Sequence, residues 1–152
     1  MLIVLEGIDG AGKTSLATLL SKLLDAEIIH ESKPQPFSHY YGIMKQAESR
    51  NIIADRFFWG QFVYQEPEER CLTLKRLREL ENELVKSNGK LVYVTAPDEV
   101  IQNRLTLREE PLSLPFDVLL GGYTWLVDTA VCPIIRYDTS KGEVISNGRD
   151  LF

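Results

Sequence analysis

A glycine-rich run near the start of this 152-residue sequence has the residue types and spacing for phosphate chemistry: Gly7-Ile8-Asp9-Gly10-Ala11-Gly12-Lys13-Thr14. Glycines let successive backbone N–H groups turn toward a phosphate, and the dipole of a following helix favours the anion. In this pattern the lysine reaches the β and γ phosphates, and the threonine hydroxyl coordinates Mg²⁺. The run therefore predicts a site for Mg-ATP, with the nucleotide bound by Gly7, Asp9, Gly10, Ala11, Gly12, Lys13, Thr14 and Ser15.

The residues on either side of this run predict the elements that hold it. Residues 2–5 are a continuous apolar run, which is typical of a strand covered on both faces. Residues 13–24 carry leucines at helical spacing. A loop between a buried strand and an amphipathic helix is the context in which this pattern binds phosphates. A glycine turn that binds no ligand is the alternative.

The rest of the sequence alternates short strand-like runs with longer helical patterns. Strands are predicted at residues 27–30, 51–54, 91–94 and 133–137. Helices are predicted at residues 37–48, 57–64, 68–86, 97–108 and 116–130. The alternation predicts an α/β fold of the P-loop NTPase type, with a parallel sheet of about five strands and helices on both faces. We expect residues 1–152 to form a single domain.

Composition narrows the range of partners. A net charge of -5 argues against nucleic acid and anionic membranes, which bind basic surfaces. No run approaches the roughly 18 apolar residues of a membrane helix, and no basic leader precedes the first strand. Cys71 and Cys132 stand apart, without the neighbours of a zinc site or a disulfide framework. We expect two buried, reduced thiols and a cytoplasmic protein.

Asp55 and Arg56 follow the third predicted strand, at the end where open α/β sheets place their ligand residues. A carboxylate at this position can join Thr14 in holding Mg²⁺. The neighbouring guanidinium can pair with an anionic acceptor. The two residues therefore predict a metal ligand and an anion ligand, with a surface ion pair as the alternative.

Several stretches resemble the thymidylate kinases. The run from Leu5 to Ser15 is similar to the opening of that family. Asp55-Arg56-Phe57 resembles its Asp-Arg-Tyr motif and is followed at similar spacing by Val63-Tyr64-Gln65. Residues 94–100, with Arg104 and Arg108, resemble the fourth strand and the helix leading into a lid at about residues 104–115. Residues 122–123 and 134–139 continue the likeness.

The resemblance implies a role for each matched residue. Asp9 would approach the sugar 3′-hydroxyl of an acceptor nucleotide, and Arg56 would bind its 5′-phosphate. Phe57 and Tyr64 would line the acceptor pocket. Arg104 and Arg108, four residues apart and so on one helix face, would act on the transferring phosphoryl group together with Lys13. Solvated arginines paired with Glu109 or Glu110 are the alternative.

The sequence departs from the thymidylate kinases between its second and third strands, where residues 31–50 replace a longer region. The family's Arg-Glu-Pro motif corresponds only loosely to residues 30–34. We interpret the chain as a compact member with a rebuilt acceptor pocket, in which Glu31 binds substrate and at least one aromatic side chain stacks on the base. His30 and His39 are interpreted as pocket or surface residues.

These observations lead to one principal hypothesis and two rivals. The principal one is a kinase that transfers the γ-phosphoryl group of Mg-ATP to a deoxynucleoside monophosphate, dTMP or dUMP, and the resemblance implies a homodimer. A deoxynucleoside kinase is the first rival, because its neutral acceptor hydroxyl needs a carboxylate base, and Glu31 is suitably placed. A nucleotide-binding regulatory module is the second.

Overall fold

The computed structural model describes residues 1–65, 72–109 and 111–145. Its strands are β1 (Leu2–Glu6), β2 (Glu27–His30), β3 (Ile52–Asp55), β4 (Lys90–Thr95), β5 (Ile134–Asp138) and β6 (Glu143–Val144). Its helices are α1 (Lys13–Leu24), α2 (Phe37–Gln46), α3 (Phe58–Tyr64), α4 (Leu74–Lys86), α5 (Asp98–Arg108) and α6 (Phe116–Thr129).

One sheet contains all six strands, in the order β2-β3-β1-β4-β5-β6. The first five are parallel, and β6 runs antiparallel to β5. The predicted α/β fold with a parallel sheet is confirmed, whereas the count of about five strands misses β6. That strand has two residues, both exposed, so it carries no hydrophobic pattern from which it could be predicted.

The strands in the middle of the sheet are almost wholly buried. Every residue of β3 is buried, as are all but one of β1 and four of the six in β4. The carboxyl ends of β1 and β3 lie side by side, with Leu5 paired to Asp55. This rigid edge carries the loop from β1 to α1 and the loop from β3 to α3.

Three helices, α3, α4 and α5, begin later than the sequence pattern predicts, and α5 does so by one residue, at Asp98. Phe57 has non-helical backbone angles, so α3 begins at Phe58 rather than at Phe57. In α4, Thr73 is the N-cap and its hydroxyl accepts the N–H of Arg76 at 3.3 Å, so the helix begins at Leu74. Residues 68–71 of the predicted long helix lie outside the described residues, as does Cys71.

Glu81 of α4 is fully buried and joins three helices. Its carboxylate accepts the indole N–H of Trp59 at 2.8 Å and a bidentate contact from Arg78 at 2.8 Å. It also accepts the N–H of Val131, just after α6, at 2.9 Å. Cys132, next in the chain, is buried as predicted, and burial raises the pKa of its thiol to about 12. No helix in the described ranges is long and apolar enough to cross a membrane.

Candidate active site

The glycine-rich run forms the loop between β1 and α1, as predicted. Gly12, at the N-cap of α1, has φ 99°, in the left-handed region that glycine adopts at little cost. At Gly7 a side chain has no room, because a Cβ there would lie 2.2 Å from the carbonyl oxygen of Val94 in β4. The loop therefore lies directly against the sheet, and its last residue, Gly12, immediately precedes the first turn of α1.

Lys13 lies across the loop and is 5% exposed. Its Nζ donates to the carbonyl oxygens of Gly7 at 2.7 Å and Ile8 at 3.0 Å, and it lies 3.7 Å from Oδ1 of Asp9. Burial lowers the pKa of the ammonium group, whereas the nearby charge of Asp9 raises it. The loop thus holds a desolvated cation beside backbone that can bind an anion.

Thr14 and Asp55 meet across the two strand ends. The Thr14 hydroxyl donates to Oδ2 of Asp55 at 2.7 Å, and Nδ1 of His30 lies 3.1 Å from the same oxygen. The second carboxylate oxygen, Oδ1, is buried and has no hydrogen-bond partner among the described residues. A hydroxyl with a carboxylate that has a free buried oxygen is a donor set suited to Mg²⁺.

The described residues contain no cluster of three or more His, Cys, Asp or Glu side chains that could hold a metal ion by themselves. Mg²⁺ does not require one, because it is commonly held by one or two carboxylates together with substrate phosphates and water. The pair of Thr14 and Asp55 fits that kind of site.

Arg56 pairs with Asp9 through a direct contact between its Nη2 and Oδ1 of the carboxylate. Its guanidinium carbon also lies 5.4 Å from the centre of the Tyr64 ring. Burial is the largest single influence on Arg56 and lowers its pKa, but Asp9, Tyr64 and Tyr123 together outweigh burial, so the pKa is raised. The hydroxyl of Tyr64 accepts the backbone N–H of Asp9 at 3.1 Å. Arg56 itself has φ 67°, a conformation that costs free energy in a residue with a side chain.

Two cavities meet at Arg56. The first, of about 250 Å³, is the phosphate cavity, lined by Asp9, Gly10, Gly12, Lys13, Thr14, Ser15, His30, Asp55, Arg56 and Arg108. The second, of about 350 Å³, is called the side cavity below and is lined by Glu31, Ser32, Lys33, Pro34, Tyr40, Arg56, Phe57, Gly60, Gln61, Tyr64 and Gln65. Arg56 therefore lies in the wall that the two cavities share.

A third cavity, of about 290 Å³, lies on the other side of the loop. Arg104 lines it and donates from Nη1 to the carbonyl oxygens of Gly10 and Ala11, both at 3.2 Å, and to the hydroxyl of Thr139 at 2.9 Å. Arg108 lines both this cavity and the phosphate cavity. Within the described residues neither arginine forms an ion pair with Glu109, and Glu110 lies outside them.

Comparisons with known proteins were made by family, by sequence and by structure. No family model matches the sequence, and no curated protein matches it. The solved structure of the YorR protein of Bacillus subtilis, in complex with phosphorylated GDP, is 31% identical, with a TM-score of 0.77 over 93% of this chain and 87% of that one. The chain belongs to the thymidylate kinase-like P-loop kinases.

Two more distant members of the same fold class were also found. The deoxyadenosine kinase of M. mycoides with bound dATP has a TM-score of 0.59 at 18% identity, with 92% of each chain covered. The thymidylate kinase of Candida albicans has a TM-score of 0.50 at 14% identity, with 96% of this chain and 95% of that chain covered. At these identities the likeness concerns the fold alone.

Several predicted site residues of this thymidylate kinase-like chain lie together at the two strand ends. Asp9 contacts both Lys13 and Arg56, and Thr14 contacts Asp55. Ser15 and Arg108 lie farther out in the lining of the phosphate cavity. Arg104 is not among the residues that line the phosphate cavity, and it bonds to loop carbonyls and Thr139; its role in phosphoryl transfer stays a prediction.

Four of the five residues predicted to bind substrate line the side cavity, namely Glu31, Arg56, Phe57 and Tyr64, whereas Asp9 lines the phosphate cavity. Glu31 is there, with Oε1 2.5 Å from Nε2 of His39, and so is Tyr64. Phe57 is almost fully buried and presents only part of its ring to the cavity wall, while Phe58 and Trp59 belong to the core. The residue most exposed to a ligand among the α3 aromatics is therefore Tyr64.

Sequence reasoning missed three residues of the kinase site. Glu6, fully buried at the end of β1, accepts the N–H groups of Phe57, Trp59 and Gly60 at 2.9 to 3.0 Å and so fastens the start of α3. Gln61 and Thr139 are the other two. A charged residue ending a buried strand was the available signal for Glu6, whereas a lone glutamine or threonine has none.

Proposed function

We propose that this kinase transfers the γ-phosphoryl group of Mg-ATP to the phosphate of a deoxynucleoside monophosphate, dTMP or dUMP, and releases the diphosphate. The position of Arg56 carries the proposal. A guanidinium in the wall between a phosphate cavity and a second cavity large enough for part of a nucleotide is placed to bind an acceptor phosphate next to a donor phosphate.

The donor side is the loop and its surroundings. The loop amides and Lys13 would hold the β and γ phosphates, and the third cavity, bounded by Leu19, Tyr137 and Thr139, would receive the rest of ATP. Thr14 and Asp55 would hold Mg²⁺, and the free buried oxygen of Asp55 supports that role. When bound, Mg²⁺ would neutralise charge on the donor phosphates.

The acceptor side needs alignment more than acid–base chemistry. An acceptor phosphate is already ionised, so its attacking oxygen requires no general base. Arg56 would fix that oxygen in line with the donor, and Asp9 would hold the guanidinium in place while its other oxygen remains available to the sugar. Arg108, which lines the phosphate cavity from α5, would stabilise negative charge on the transferring phosphoryl group.

An acceptor screen tests the proposal. The protein would be incubated with Mg-ATP and each ribonucleoside and deoxynucleoside monophosphate, and each deoxynucleoside, and the products separated by ion-exchange chromatography. We expect a diphosphate from dTMP or dUMP. Guanine nucleotides belong in the screen because YorR was solved with phosphorylated GDP. ATP consumption without any acceptor would contradict the proposal and favour the regulatory module.

A deoxynucleoside kinase is the second candidate, and the position of Glu31 in the side cavity favours it. A carboxylate there could take the proton of a neutral 5′-hydroxyl. In that case Glu31→Gln would abolish phosphorylation of a nucleoside. If the acceptor is a monophosphate, the same variant retains most of its kcat, because no proton needs to be removed. The homodimer and the cytoplasmic location stay predictions.

A further inference from the structure

The side cavity contains an amide side chain whose orientation is fixed by the backbone. Oε1 of Gln61 accepts the N–H of Gln35 at 3.0 Å, and Nε2 of Gln61 donates to the carbonyl oxygen of Gln35 at 3.1 Å. A backbone N–H can only donate and a backbone carbonyl can only accept. The oxygen and the nitrogen of the Gln61 amide therefore cannot exchange places without losing both bonds.

A third contact decides what Gln61 can offer to a ligand. The hydroxyl of Tyr40, a side chain that is almost fully buried, also donates to Oε1. The amide oxygen has two lone pairs, and the N–H of Gln35 and the hydroxyl of Tyr40 use both. Nε2 has two hydrogens, of which the carbonyl of Gln35 uses one. What remains for the cavity is a single N–H donor.

Two neighbouring residues add further polar groups to the same wall of the side cavity. Gln65, four residues after Gln61 and 8% exposed, has an Nε2 with no hydrogen-bond partner among the described residues. Glu31 supplies a carboxylate, an acceptor. Burial raises the pKa of the Tyr40 hydroxyl, and the charges of Glu6 and Glu31 add to the rise. The wall thus combines amide donors with a carboxylate acceptor.

The pattern of donors and acceptors matches one class of nucleobase. Thymine, uracil and guanine carry a carbonyl oxygen, an acceptor, next to a ring N–H. Cytosine and adenine carry an amino group, a donor, at the equivalent position. An amino group facing the N–H of Gln61 would leave two donors opposed and the amide hydrogen without a partner, which costs binding free energy.

We propose that Gln61, held by Gln35 and Tyr40, is a specificity-determining residue that selects acceptor nucleotides with a keto base over those with an amino base. The proposal rests on the proposed function in one respect, that the side cavity holds the base of the acceptor. It widens the acceptors from dTMP and dUMP to dGMP and excludes dCMP and dAMP.

The test compares kcat/KM for dTMP, dUMP, dGMP, dCMP and dAMP in the wild-type enzyme and in two variants. We expect the best keto substrate to exceed both amino substrates by about tenfold or more in the wild type. Gln61→Glu replaces the free donor with an acceptor and should lower that ratio by about tenfold. Gln61→Leu should bring it close to one.

The ratio of two substrates within one variant does not depend on how much of the protein is folded, so a destabilised variant still gives an answer. Gln102→Glu, the same substitution at an exposed position of α5, is the matched control and should keep the wild-type ratio. A wild-type enzyme without keto preference, or a Gln61→Glu variant with an unchanged ratio, would overturn the proposal.

Calorimetric titration of the five monophosphates in the absence of ATP separates this proposal from the proposed function. If none is phosphorylated but the keto nucleotides bind more tightly, and Gln61→Glu removes the difference, the specificity proposal stands while the kinase assignment fails. Phosphorylation without keto preference overturns the specificity proposal alone. If no monophosphate binds at millimolar concentration, both are overturned.

Discussion

Lys13 is the side chain on which the phosphate chemistry of the loop depends. It is buried, and its ammonium group is held by two loop carbonyls and the charge of Asp9. Lys13→Ala removes the cation from the place where donor charge must be neutralised, so we expect kcat with the best acceptor to fall by at least about 100-fold. Steady-state assays of both enzymes would measure this fall in kcat. Lys22→Ala, at an exposed position of α1, is the control, and a Lys13→Ala enzyme with full activity would refute the assignment.

Asp9 contacts a cation on each side of the site. Lys13 belongs to the donor side and Arg56 to the acceptor side. The contact with Arg56 is the closer of the two, so Asp9→Asn should raise the KM of the acceptor by about tenfold and that of ATP much less. Initial rates with each substrate varied in turn would show the difference. Asp117→Asn, an exposed carboxylate in α6, should change neither constant, and equal effects of Asp9→Asn on both substrates would contradict the prediction.

At the scale of elements, the phosphate loop is held from outside by α5 and by the residue after β5. The hydroxyl of Thr139 donates to the carbonyl of Ala11 at 2.6 Å and accepts from Arg104 at 2.9 Å. Its methyl group would lie 3.0 Å from a Cβ on Gly12. Thr139 is also tied to β4, because its N–H donates to the carbonyl of Thr95 at 2.9 Å. The loop conformation therefore depends on two elements far along the chain.

Thr139→Val keeps the shape of the side chain and removes its hydroxyl. The carbonyl of Ala11 then loses its closest donor. We therefore expect the N–H groups of the loop to be less well positioned to bind the phosphates of ATP. The KM of ATP should rise by about three- to tenfold while the acceptor KM changes less. Thr106→Val in α5, where the hydroxyl bonds to the carbonyl of Gln102 in its own helix, is the control. An unchanged KM for ATP would show that the loop holds its shape without Thr139.

Sequence patterns predicted the elements that are defined locally. The buried strand, the glycine loop and α1 follow one another in the chain, so residue types alone identified them. The start of α4 depends on the Thr73 cap, and the start of α3 on the non-helical backbone of Phe57, so the sequence pattern could not fix either. Gln61 owes its role to the backbone of a residue 26 positions away, which no local pattern records.

At the scale of the whole molecule, Glu6 connects the central strand to the helix that carries Gln61 and Tyr64. It has no exposed surface, and its carboxylate accepts three backbone N–H groups from the start of α3. Burial raises its pKa from 4.5 to about 7, although those N–H groups and Lys13 oppose the rise. A carboxyl group in this state links the stability of the fold to pH.

The direction of this pH dependence follows from the raised pKa of Glu6. In the unfolded chain Glu6 loses its proton near pH 4.5, whereas in the folded protein it keeps the proton until about pH 7. The stabilisation that the protonated group provides is therefore complete below pH 4.5. It is lost as the pH rises to 7, which lowers the free energy of unfolding by on the order of 3 kcal/mol.

Urea denaturation at pH 4.5 to 8 and constant ionic strength would measure this loss of stability. The wild type should lose that much more stability across the range than Glu6→Gln, which cannot titrate, and Glu79→Gln on the exposed face of α4 should behave as the wild type. Parallel pH profiles for wild type and Glu6→Gln would mean that the three N–H groups keep Glu6 ionised throughout, and its role would then be a permanent anchor of α3 rather than a pH-dependent one.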